Sequence, residues 1–288
     1  MDFIKKKYLC GVIIPVEDKP NNEDLSKNKD EYFDDERENS SFFRSLAGLV
    51  TFSTIIPLGV YTSIESVVSL TWLWPLLNAF IGLLGVMIAY FLLYYIHFFF
   101  FFIANIVYAF FLIIMGYNHL DGLLDFADGV MVHGGYDKKI SVMRDPIVGT
   151  GGIATFAIVS LMTVAALISI INYQALWAIL IGEMSAKIAL CTVCVSSKPS
   201  NSGIGKYFVE NMPIPNYVAS LLIGFIIGYY LLGYIGVFGV IGGMFGGGIV
   251  SLIAKRNFGV ATGDVLGASN EIGRLFSLLF LVIGLSLF

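Results

Sequence analysis

From about residue 67 to the C-terminus, apolar stretches of about twenty residues follow one another, separated only by short polar loops. A stretch of that length crosses the hydrocarbon of a bilayer as a helix, because in lipid a spanning backbone must satisfy its own hydrogen bonds. The chain is therefore expected to be all-α, a polytopic integral membrane protein in a lipid bilayer. Composition agrees: 57% of the 288 residues are hydrophobic and 13% are charged, where a soluble domain carries roughly a quarter charged. No nucleic acid is expected as a partner.

The charge is unevenly placed. Residues 1–45 carry 11 acidic and 8 basic side chains, whereas residues 46–288 carry 10 and 9. Residues 17–41 have almost nothing to bury and read as a solvated insertion. Residues 1–44 are thus expected to be a flexible polar tail, and 45–288 a transmembrane domain. The apolar run behind Lys5, Lys6 and Lys7 is too short to span, and no cleavage site follows it. Cys10, Cys191 and Cys194 form no disulfide framework.

Residues 42–62 contain Arg44, Pro57 and several hydroxyls, and read as an interfacial or re-entrant helix. Two spans are expected between Val67 and Met115, meeting around Tyr94–His97, with Trp72, Trp74 and tyrosines as interfacial anchors. Phe98–Phe102 is expected to face lipid. Further spans follow Gly152, run from about Ala175 to Val195, occupy 216–234 and 236–254, and begin near Ala268. That gives about seven. Seven spans put the N-terminal tail and the loops at 117–149, 196–215 and 255–267 on one side, with nearly all Lys and Arg. By the positive-inside rule that side is the cytoplasm, and the membrane is the plasma membrane.

Chemistry concentrates in Asn118-His119-Leu120-Asp121-Gly122-Leu123-Leu124-Asp125-Phe126-Ala127-Asp128-Gly129. On a helix, Asp121, Asp125 and Asp128 share one face. Carboxylates massed in this way repel unless a cation sits among them, and oxygen-only ligands suit Mg²⁺. Asp264 and Glu271 are seven residues apart at the start of the last helix and are candidates for the same ion. Such a cation would neutralise a diphosphate and stabilise attacking and leaving oxygens. Arg144 suits a bidentate phosphate grip and Lys187 a compact charge. His119 is a candidate base or phosphate contact. Gly149, Thr150, Gly151 and Gly152 open a helix whose free N–H groups suit an anion. Glu183 and Lys187, at i and i+4, also fit a self-neutralising ion pair, and Arg274 a partner for Glu271. Which way Glu183 points discriminates these readings.

Together these blocks resemble the cobalamin synthase family, adenosylcobinamide-GDP ribazoletransferase. The resemblance is carried by N-H-L-D-G-L-L-D-F-A-D-G, M-R-D-P-I-V-G-T-G-G, E-M-S-A-K and T-G-D-V-L-G-A-S-N-E, in order from about residue 45 to the C-terminus. Thr54-Ile55-Ile56-Pro57 resembles an early T-R-I-P stretch of the family, with Ile55 where an arginine is usual. The resemblance implies a Mg²⁺-dependent transfer of the adenosylcobinamide phosphate moiety of adenosylcobinamide-GDP to α-ribazole or its 5′-phosphate, with release of GMP. It adds Asp145 to the catalytic candidates, and Glu183, Thr262 and Asn270 to the substrate-binding ones. A CDP-alcohol phosphotransferase is a rival, but its A-R pattern after the D-x-x-D-G core is missing. An ion-coupled transporter is a second rival, because intramembrane carboxylates also mark ion paths. The sequence leaves a homo-oligomer open.

Overall fold

A computed structural model describes residues 8–9, 12–13, 42–60 and 62–287. The expected insertion at 17–41 lies outside the described residues. The chain divides into two compact units, Met1–Leu70 and Thr71–Phe288.

In the first unit, strands β1 (Tyr8–Leu9) and β2 (Val12–Ile13) pair antiparallel, and β2 pairs parallel with β3 (Thr62–Ser63). Helix α1 covers Phe42–Ser53 and α2 covers Ile64–Ser69. The helix expected over 42–62 thus stops early. Thr54 Oγ1 donates back to Val50 O at 2.8 Å and accepts from Ile56 N at 3.2 Å. Pro57, which has no N–H to give, follows. Ser63 then caps α2 by accepting from Ser66 N.

The second unit is a helical bundle. After a 3-10 turn at Thr71–Leu73 come α3 (Trp74–Tyr94), α4 (Phe100–Ile114), α5 (Asn118–Met131), α6 (Tyr136–Met143) and α7 (Thr150–Asn172). Then follow α8 (Trp177–Ser196), α9 (Ile204–Asn211), α10 (Ile214–Asn257) and α11 (Gly263–Leu287). Between α4 and α5 the chain turns by 91°. The turn uses left-handed backbone at Gly116 (φ 63°) and Tyr117 (φ 59°).

Helix α10 is in fact two. Leu232 and Gly233 leave helical geometry, Gly233 at φ 57° and ψ −137°. A Cβ on Gly236 would lie within 2.0 Å of Gly228 O, at 1.9 Å, whereas eight residues of straight helix would hold these two about 12 Å apart. The chain therefore doubles back, and 214–231 and 234–257 are the arms of a hairpin. Five helices, α10 counted once, are long and apolar enough to cross a membrane. Division of α10 makes six, and α4, which is apolar enough to span only when counted with the bent α5, would make seven.

Helix α8 is enclosed by the others, with 89% of its apolar window buried, against 28% for α7. Its Glu183 and Lys187 therefore face protein, which is where charges inside a membrane are tolerated. Phe98–Phe102 is exposed, as expected of a lipid-facing run. Trp74 departs from the expected interfacial anchor: it is buried and its ring packs 5.0 Å from Phe208.

Candidate active site

Three loops meet at one end of the bundle. Ala261 N donates to Lys198 O at 2.8 Å, and Pro199 and Ala261 form a parallel bridge. Arg144 Nη2 donates to Ser202 Oγ at 3.1 Å, and Lys139 Nζ to Asn257 Oδ1 at 2.8 Å. The segments after α5, α8 and α10 thus share one end, as the seven-span count requires. At the opposite end Tyr94 Oη donates to Gln174 Oε1 at 3.4 Å.

Small residues bring the carboxylates together. A Cβ on Gly122 of α5 would lie 2.9 Å from Asp264 O and 3.1 Å from Gly267 Cα. A Cβ on Gly267 of α11 would in turn lie 3.2 Å from Gly122 Cα. Only paired glycines allow two backbones this close. Asp121 and Asp125 flank Gly122, so the contact sets them beside Asp264. Helix α5, with 14 residues and a 91° turn off α4, lies outside the five long spans. The half-buried Asp125 feels the crowd. Its burial, then the charges of Asp121, Asp264 and Asp128, push its acid from 3.8 up to about 7.

Asp128 has a second engagement. Its Oδ2 accepts from Gly149 N at 2.6 Å and its Oδ1 from Gly152 N at 2.8 Å. The carboxylate sits on the positive N-terminus of α7, and the anion received by the glycine cluster is the chain's own. A Cβ on Gly149 would fall 2.5 Å from Asp128 Oδ1, and one on Gly152 2.8 Å from Oδ2. Gly151 is nearly as tight, with its Cβ 3.2 Å from Oδ1, and Thr150 begins α7 exposed to solvent.

His119, on the first turn of α5, meets Lys187 from α8, Nε2 to Nζ 2.7 Å. Burial, then the Lys187 and Arg274 cations, hold the imidazole far below its ordinary pKa, so it is neutral. With the ammonium donating to Nε2, the ring proton resides on Nδ1. That nitrogen is buried and has no hydrogen-bond partner among the described residues. Thr262 Oγ1 donates to Asp264 Oδ2 at 3.1 Å, which orients that carboxylate. Asp145 Oδ1 accepts from Ile147 N at 3.0 Å and holds the turn after the exposed Arg144.

Glu183 and Glu271 are placed elsewhere. Arg274 Nε donates to Glu183 Oε2 at 2.6 Å, and its Nη1 donates to Glu271 Oε2. Asn270 Nδ2 donates to Glu271 Oε1 at 3.2 Å. All four side chains are buried, and Arg274 lies against the Tyr108 and Phe111 rings. Glu183 therefore turns to Arg274 rather than to Lys187. Glu271 is not brought together with Asp121 and Asp125. Asn78, which donates to Glu183 Oε1 at 2.9 Å, was missed by sequence reasoning. Its only signal was a lone amide in an apolar run. Among the described residues no three His, Cys, Asp or Glu side chains converge closely enough to form a preformed metal cage.

A model of the family described as cobalamin-5-phosphate synthase matches residues 45–282. The chain is similar to the adenosylcobinamide-GDP ribazoletransferase of Methanococcoides burtonii, 30% identical over 259 residues, or 86% of this chain and 94% of that one. It is similar to the protein of the same name from Pyrococcus abyssi, 31% identical over 245 residues, 82% of this chain and 97% of that one. A third, from Thermococcus onnurineus, is 36% identical over 171 residues, 57% of this chain and 70% of that one. No solved structure matches.

Proposed function

The chain belongs to the cobalamin-5-phosphate synthase family, and from that premise we propose that it is a membrane-embedded adenosylcobinamide-GDP ribazoletransferase. A ribose hydroxyl of α-ribazole, or of its 5′-phosphate, attacks the cobinamide-bound phosphorus. A new P–O bond forms, the bond to the bridging oxygen breaks, and GMP leaves with that oxygen. The hydroxyl proton is lost, and the lower nucleotide loop of the cobamide is joined.

The carrying observation is the crowding of Asp121, Asp125 and Asp264 by the Gly122–Gly267 contact. Such a crowd fits Mg²⁺, which keeps several waters and binds through one or two carboxylates plus substrate phosphates. When bound, the ion would neutralise phosphate charge and stabilise the entering and leaving oxygens. Asp121, Asp125 and Asp264 would hold it, with Asp128 close by but already bonded at both oxygens.

The remaining roles follow from the contacts. His119 is a neutral donor through Nδ1 rather than a free base, because Nε2 is occupied by Lys187. Lys187 fixes that ring and adds positive charge near the phosphates. Arg144, exposed at the loop junction and steadied there by Ser202, would grip a phosphate with its remaining N–H groups. The base for the attacking hydroxyl is a carboxylate of the crowd that the ion leaves free.

Lys138, Lys139, Arg144, Lys198, Lys206, Lys255 and Arg256 all lie in or beside the three clustered loops, and the opposite turns at 95–99, 173–176 and 232–233 carry no Lys or Arg. This supports a cytoplasmic site in the plasma membrane. The test is direct. Protein in lipid receives adenosylcobinamide-GDP, α-ribazole and Mg²⁺, and GMP is measured. Release that stops with a chelator and returns with Mg²⁺ is expected. No GMP under any metal condition would remove the reading.

A further inference from the structure

Outside the carboxylate cluster, the loop end of the bundle holds a concavity of about 390 Å³. Lys198, Lys255 and Tyr136 line it, with Ser196, Ser197 and Gly259 completing the wall. Both lysines are exposed, and neither has an ion-pair partner among the described residues. The serines are already committed. Ser196 Oγ and Ser197 Oγ each meet Ser251 Oγ, at 2.8 and 2.9 Å, which stiffens the wall. Tyr136 is 53% exposed, so much of its ring is open to a ligand. Gly259, at φ 74°, passes that ring where a Cβ would come within 3.1 Å. Lys139, three residues on, bonds Val130 O and Asn257 Oδ1 and so anchors α6, the helix that carries Tyr136, to both neighbours.

This chemistry selects its ligand. Two unneutralised ammonium groups ask for an acidic, acceptor-rich group. An open phenol ring asks for a flat π-face of its own. Inorganic phosphate lacks the ring, and so does an anionic lipid headgroup. A purine nucleotide has both. The place is also right: Val260, in the same wall, is four residues before Asp264, so at most about 14 Å of chain separates them. That is within the reach of a nucleoside diphosphate whose phosphates lie at the carboxylates.

We propose that this concavity is the seat of the leaving nucleotide: Tyr136 stacks on the guanine of adenosylcobinamide-GDP, and Lys198 and Lys255 donate to its acceptor atoms and nearest phosphate. The proposal rests on the reaction assigned above for the identity of the base. It adds residues that no motif of the sequence singles out.

The experiment uses the full chain in nanodiscs of neutral phosphatidylcholine. Binding of GMP is measured by calorimetry, and KM is measured for adenosylcobinamide-GDP and for α-ribazole separately. The double variant Lys198→Ala/Lys255→Ala should weaken GMP and raise the KM for adenosylcobinamide-GDP by about tenfold or more, since charge-assisted hydrogen bonds are being lost. The KM for α-ribazole should stay within about twofold. Tyr136→Ala should weaken GMP, and Tyr136→Phe, which keeps the ring, should restore it. All three positions are at the surface, and unchanged melting confirms the fold. If inorganic phosphate competes as well as GMP, or if phosphatidylglycerol in the disc displaces GMP, the site is a general anion or lipid seat and the proposal falls. A raised KM for α-ribazole alone overturns it too. Should wild-type turnover be normal while these variants bind GMP unchanged, only the nucleotide seat is lost. Absent turnover in the wild type would instead remove the reaction reading.

Discussion

Two sets of carboxylates in this protein have opposite fates. Glu183 and Glu271, deep in the bundle, share Arg274, and Asn78 and Asn270 add further bonds. Asp121, Asp125 and Asp264, at the loop end, are crowded against one another with no ion pair among the described residues. The first set has its charge answered by the fold, while the second leaves it for something that arrives. Acidity inside an apolar chain is therefore a poor guide to a ligand site until the counter-charge has been located.

The largest expected effect comes from breaking the answered set. Arg274→Leu leaves two buried carboxylates without a cation and should cost about 3–5 kcal/mol, read as a collapse of thermal melting in lipid. The triple change Glu183→Gln, Glu271→Gln and Arg274→Leu should recover most of it, because a whole buried network is close to neutral against its uncharged counterpart. If the triple variant is no better than the single, the network is not self-contained.

Next is the unanswered set. Asp125→Asn should lower GMP release by about 10²–10³-fold, as loss of one preorganised electrostatic group does. Melting should hold or rise, since a repulsion is removed. Gly122→Val follows: its side chain must push α5 off α11, at about 1–3 kcal/mol of overpacking. Turnover should fall with it, as Asp121 and Asp125 move from Asp264. Asp128→Asn comes after, at about 0.5–2 kcal/mol, because the amide keeps one acceptor for the start of α7 and loses the charge. Equal turnover losses in Asp125→Asn and Asp128→Asn would show that the capping role is secondary.

The smallest effect is a pH slope, because solvent screens a carboxylate that is only half-buried. Asp125 in the folded chain takes its proton near 7, above its ordinary 3.8. Between those values the native state binds more protons than the unfolded one. Stability should therefore fall as pH rises from about 4 to 7. Added Mg²⁺ should flatten that slope in melts of the wild type, and Asp125→Asn should lack it.

The span pattern was legible in the residues, because length and hydropathy act locally. Even the break in α10 was expected near its true place at Leu232–Gly233. The sharing of a helix face by Asp121, Asp125 and Asp128 was legible for the same reason. Partner choice was not. Spacing suggested Glu183 with Lys187, but i,i+4 neighbours yielded to contacts across the bundle, with Arg274 and His119. Nor did spacing show that the N–H groups of Gly149 and Gly152 were already taken by Asp128, 21 and 24 residues away. The early end of α1 at Ser53 turned on a single hydroxyl, Thr54, that bonds back to its own helix.

The arginine that answers Glu183 is 91 residues further along the chain. During synthesis, then, α8 enters the membrane before its counter-ion exists, and its acid must wait through two further crossings for the final helix. A nascent chain halted before residue 263 would present an unmatched charge in the bilayer and should be cleared by quality-control proteases, whereas one extended a few turns beyond Arg274 would survive.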